Sequence, residues 1–85
     1  MKFTSEDINN AHAFCNDNKE LLEQSKTCGC FYCLTIYNPK EIIDYTDEFQ
    51  NTATCPHCGI DSVLPDNVGY PITAEFLKQM KKHWF

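Results

Sequence analysis

Two cysteine pairs dominate the chemistry available to this chain. Cys30-Phe31-Tyr32-Cys33 and Cys55-Pro56-His57-Cys58 are both C-x2-C turns, separated by residues 34–54. Two such pairs with a spacer of about twenty residues are the pattern of a closed four-thiolate metal site. In a C-x2-C turn both sulfurs can reach one ion, while turn N–H groups point at the first of them. Pro56 fixes φ at the entry to the second turn, and Gly59 supplies a permissive backbone just after it. A third cysteine, Cys28, precedes the first pair. Cys28-x-Cys30 is too tight to share an ion comfortably, whereas Cys28 with Cys33 is feasible if the chain curls at Gly29. The expected ligands are therefore Cys30, Cys33, Cys55 and Cys58, with Cys28 and His57 as alternates. The spare Cys28 reads as a buried thiol beside the site or, more sharply, as a redox thiol that exchanges with a ligand and releases metal.

Composition points the same way. A chain of 85 residues is one small domain whose apolar core is marginal, so a bound metal would assist folding. The first ten residues, MKFTSEDINN, contain no signal-like apolar run, and no stretch is long and apolar enough for a membrane span. These features lead us to expect a cytoplasmic protein with thiols that are reduced or metal-bound. The formal net charge is −5, with lysine as the sole strongly basic residue type; four thiolates holding a divalent ion would make it about −7. That balance disfavours nucleic acid, because arginine is the best bidentate reader of phosphate and guanine. Lys78, Lys81, Lys82 and His83 form the one basic patch, and they read as the solvated side of a helix.

The elements that must hold the turns can be outlined. Thr4 or Ser5 caps a first helix, with Ile8, Ala11, His12 and Cys15 on one face. Asp17-Asn18-Lys19-Glu20 reads as a capping box opening a short helix to about Ser25. Leu34 to Tyr37 alternates as a strand, and Asn38-Pro39-Lys40-Glu41 opens a helix expected to reach about Tyr45. Asp44, Asp47 and Glu48 make an acidic loop, and Ile60 to Leu64 reads as the returning strand of a hairpin. Thr73 caps the last helix, with Ile72 and Leu77 at staple spacing and Phe76, Leu77, Met80 and Trp84 along one face. The fold class expected is α+β: a zinc-ribbon-like β core, with an N-terminal helical segment (1–27), a metal-binding core (28–64), and a turn plus amphipathic helix (65–85), in one domain.

Four thiolates close a coordination sphere and suit structure better than Lewis-acid chemistry. Asp61 and Ser62 can be imagined as acid and nucleophile, but turn and strand roles suit them better. No catalytic constellation emerges. Phe31 and Tyr32 exceed what holding a metal requires, and aromatics are favoured anchors at interfaces, so they are the candidate partner-binding residues. The function expected is a non-enzymatic module, with Zn2+ as structural ion, that contacts another protein as a small regulator or adaptor. A metal-dependent hydrolase or a nucleic-acid binder ranks well behind.

Cys55-Pro56-His57-Cys58-Gly59 resembles the second metal turn of rubredoxins and of zinc ribbons. The rubredoxin resemblance implies the alternative function, one-electron transfer through iron (Fe), although Leu34 stands where those proteins usually carry glycine. More broadly, Cys28 to Cys33, Cys55 to Val63, and Gly69 to Thr73 with Glu75-Phe76-Leu77 and Trp84-Phe85 resemble a family of small bacterial cytoplasmic proteins. That resemblance implies a bacterial origin, a cytoplasmic location and a shared fold, and it carries no activity.

Overall fold

The computed structural model describes residues 3–46 and 48–85. It is an α+β domain with a zinc-ribbon-like arrangement of its cysteines. The helices are α1 (Ser5–His12), α2 (Lys19–Glu23) and α3 (Ala74–Trp84). The strands are β1 (Cys28–Cys30), β2 (Ile36–Tyr37), β3 (Tyr45–Thr46), β4 (Thr52–Ala53) and β5 (Val63–Pro65). One antiparallel sheet runs β2-β1-β5 and a second pairs β3 with β4.

The central strand β1 divides the interior, because successive residues face opposite sides of a sheet. Gly29 and Leu64, paired across β1 and β5, face the helices. There Ile8, Ala11, Cys15, Phe31, Leu64, Phe76, Leu77 and Met80 form one buried cluster. Cys28, Cys30 and Val63 face the other side and join Leu22, Tyr37, Ile42, Ala53 and Cys55 in a second cluster. Gly29 has no room for a side chain: a Cβ there would lie 2.8 Å from Leu77 Cδ1 and 2.9 Å from Ile72 Cγ2. Gly29→Ala should therefore lift α3 off the sheet and cost about 1–3 kcal/mol of stability, measurable by urea denaturation. An unchanged midpoint would mean that the helix is not seated on the strand.

The helix signals act largely as expected. Thr4 caps α1 in a reciprocal capping box with Asp7, and Thr73 accepts from Phe76 N at the start of α3. Ile8, Ala11 and Cys15 are buried, as are Phe76, Leu77 and Met80, while Trp84 stays 39 % exposed.

Three expectations require correction. Asp17 does not cap α2; its φ is +48°, and the cap position belongs to Asn18. The Asn18 side chain is not a cap either. It is fully buried and donates to Phe14 O and Val63 O while accepting from Ala53 N.

The helix expected to reach Tyr45 stops after one turn, the 3-10 segment Pro39–Glu41. Asn38 does cap it through Lys40 N, but Ile42 is already extended, at ψ 125°. Ile42 and Ile43 are β-branched and favour extended backbone, and Thr54 N then donates to Asp44 O, drawing this segment beside β4. Finally, β5 does not return along a local hairpin. It pairs with distant β1, while β4 pairs with β3. Asp44 and Glu48 flank this region, and Asp47 lies outside the described residues.

Candidate metal centre

Each C-x2-C turn is built by the same four features. In the first, Cys30 N donates to Thr35 O (3.0 Å), Leu34 N to Cys30 O (2.9 Å) and Tyr32 N to Cys30 Sγ (3.4 Å). In the second, Cys55 N donates to Ile60 O (2.9 Å), Gly59 N to Cys55 O (2.8 Å) and His57 N to Cys55 Sγ (3.4 Å). The fourth shared feature is a left-handed residue after each second cysteine: φ is +65° at Leu34 and +81° at Gly59. Leucine in that region costs roughly 1–2 kcal/mol. It is placed there with its side chain packed against the helical cluster. The first turn keeps this geometry with leucine where the second has glycine.

The sheet brings the turns together. Cys30 pairs with Val63, and Phe31 N donates to Ser62 O at 3.0 Å, so the first turn begins where the chain leaves the second. The Sγ atoms of Cys30, Cys33, Cys55 and Cys58 all lie within 4.8 Å of one another. Cys30 and Cys58 approach to 3.6 Å, and Cys33 and Cys55 to 3.7 Å. A tetrahedron with metal–sulfur bonds of 2.3 Å has edges of about 3.8 Å. Four cysteines thus stand close enough to hold a metal ion, and both the donor set and the spacing suit one.

The surroundings act on the sulfurs in both directions. Ser62 Oγ lies 3.0 Å from Cys30 Sγ in a buried position, and Thr35 Oγ1 lies 3.3 Å from Cys33 Sγ. Burial raises the Cys30 thiol, against the Ser62 hydroxyl and the turn N–H groups. At Cys33 burial also acts upward, but hydrogen bonds from Thr35 and neighbouring cysteines outweigh it and bring the thiol down to about 7. Burial pushes Cys58 up to about 12.

The alternates stand apart from the four. Cys28, on β1, is fully buried and donates to Tyr37 O at 3.5 Å. His57 Nε2 points outward to Glu41 Oε1 at 3.2 Å, with its ring beside Tyr37. Phe31 overturns its assignment as a partner contact: it is 1 % exposed, packed in the helical cluster. Tyr32 is 38 % exposed, edge-on to Phe85, with Lys81 Nζ 5.1 Å above its ring. Asp61 is exposed, and Ser62 is buried against Cys30. Sequence reasoning missed Thr35 and Tyr37 as neighbours of the sulfurs. The alternation along Leu34 to Tyr37 was the available signal, since it turns Tyr37 inward beside Cys28.

The two cysteines outside the cluster should be unreactive. Burial pushes Cys15 up to about 11 and Cys28 up to about 12. At pH 8 roughly one in a thousand of the Cys15 thiols and one in ten thousand of the Cys28 thiols is ionised. Timed alkylation of the folded protein, mapped by mass spectrometry, should leave both unlabelled below about pH 9, with labelling rising only in stronger alkali. Rapid labelling of Cys28 near neutrality would instead support the redox exchange considered for it.

Among the described residues, no helix is long and apolar enough to cross a membrane. Comparison of the chain with protein-family models, with curated proteins and with solved structures found no match in any of the three.

Proposed function

We propose that the protein is a small non-enzymatic module in which Cys30, Cys33, Cys55 and Cys58 hold one zinc ion for structural purposes, and that its surface serves contact with another protein. The observation that carries the metal assignment is the convergence of four sulfurs within 4.8 Å. Zinc is favoured because it has no geometric preference that two thiolate turns fail to meet, and structural zinc sites are commonly four-cysteine. Thiolates supply all four tetrahedral positions, a donor set suited to holding the fold. The contact role draws support from apolar side chains at the surface: Ile43, beside the second turn, at 80 % exposure, and Tyr32, within the first, at 38 %.

Iron with one-electron transfer is the second reading. It is favoured by the partial exposure of Cys33 and Cys58, which would bring electron density on those sulfurs near a partner's surface. Spectroscopy of protein purified without added metal separates the two. The zinc reading predicts a colourless protein that loses tertiary structure when a strong chelator is added. A red protein with sulfur-to-iron absorption, bleached by reductant, would replace it with the iron reading.

A further inference from the structure

We propose that Tyr37 is a positioning residue of the metal centre, its phenol O–H donating a hydrogen bond to the sulfur of Cys55 when the four thiolates hold an ion. This rests on the metal reading above and extends it to a residue outside the cysteine turns.

Tyr37 sits on β2 opposite Cys28 and belongs to the same buried cluster as Cys30 and Cys55. It is 6 % exposed, and among the described residues its hydroxyl is the buried side-chain oxygen or nitrogen found without a hydrogen-bond partner. An unpaired buried hydroxyl is costly, so a position that retains one invites the question of its acceptor. Cys30 and Cys55 share the buried cluster of Tyr37, Cys28 pairs with it across the sheet, and its ring lies 5.1 Å from that of His57 in the second turn.

The two turns show what is incomplete. Cys30 and Cys55 are the buried sulfurs of the set, and each receives the N–H of the second residue after it. Cys30 has in addition the hydroxyl of Ser62 at 3.0 Å. Among the described residues Cys55 has no corresponding hydroxyl, and the unpaired Tyr37 hydroxyl is placed in its cluster to supply one. A thiol is a weak acceptor, whereas a metal-bound thiolate is charged and accepts strongly. Binding would therefore complete this bond. The Cys28 thiol, donating to Tyr37 O, and the His57 ring at 5.1 Å hold the tyrosine in place.

Tyr37→Phe, loaded with Co2+, provides the test. Loss of a hydrogen bond to a metal ligand weakens affinity roughly 10- to 100-fold, read by chelator competition. It also raises the energy of the sulfur lone pair, so the sulfur-to-cobalt charge-transfer band should move to longer wavelength. A packing role alone would leave the band where it is. Unchanged affinity together with an unchanged band would overturn the inference while leaving the metal reading intact. Failure of the wild-type protein to give any sulfur-to-cobalt band would overturn the metal reading, and the inference with it. A second measurement needs no variant: in wild-type protein loaded with 113Cd, the Tyr37 hydroxyl proton should exchange slowly and couple to the cadmium. A rapidly exchanging proton without coupling would also contradict the proposal.

Discussion

Replacing Cys30 by serine is expected to abolish metal binding and to lower stability by at least about 3 kcal/mol, because a structural metal's binding energy is folding energy. For a domain of this size that is a fall in Tm of at least about 12 °C. The cause is the composition of the second cluster. Cys28, Cys30 and Cys55 are among its buried members, with Cys33 and Cys58 at its edge, and its aliphatic content is limited to Leu22, Ile42, Ala53 and Val63. The strands around it are two or three residues long. Such a cluster buries too little hydrocarbon to order its loops without an ion. The helical cluster, with Phe31, Phe76, Leu77 and Met80, is richer and should keep part of its structure. Cys28→Ala is the matched control: it removes a buried sulfur from the same strand and should leave the metal content unchanged. Calorimetry with metal analysis of both variants decides the point. Equal metal content in Cys30→Ser and wild type would refute the assignment of that ligand.

The second large effect is expected at Asn18. Asn18→Leu keeps the branched shape of the side chain but removes its amide. Phe14 O and Val63 O would each lose a donor, at 3.0 and 2.8 Å, and Ala53 N would lose its acceptor at 3.1 Å. Each buried group left unsatisfied costs about 1–3 kcal/mol, so a loss of about 3–5 kcal/mol is expected in urea denaturation of the metal-loaded protein. The size reflects position. Asn18 ties the end of the N-terminal helical segment to β4 and β5, which belong to different sheets. Thr52 reinforces the same junction by accepting from Asp17 N at 2.8 Å. A loss below about 1 kcal/mol would show that water or a shifted backbone satisfies these groups.

How far the fold was legible follows from the range of the interactions involved. Thr4, Thr73 and Asn38 act through bonds to neighbours two or three residues on, and all three caps are present. The α3 stripe is likewise local, and its three inward residues are fully buried. The cysteine spacing was readable because a metal site leaves a chemical pattern that does not depend on the intervening chain.

What failed depended on distant partners. A proline-led cap predicts that a helix starts but not that the chain from Asp44 onward will run beside β4. The C-x2-C spacing places two turns together but does not say which strand will join them, and β1 with β5 spans the whole spacer. Asn18 looked like a local cap because Asn commonly is one; its actual acceptors lie as far away as Val63. Phe31 and Tyr32 were indistinguishable in sequence. The turn faces one residue into the helices and the other outward, and only the packing of α3 and Phe85 decides which.

The central claim is that four cysteines of this chain hold one structural zinc ion. Elemental analysis of protein purified without a metal-affinity column, combined with native mass spectrometry, tests it most directly. The account predicts one zinc per chain, with a native mass above that of the apo chain by one zinc less the two protons that its divalent charge replaces. A native chain that is fully folded and carries no metal, or one that carries iron in place of zinc, would contradict it.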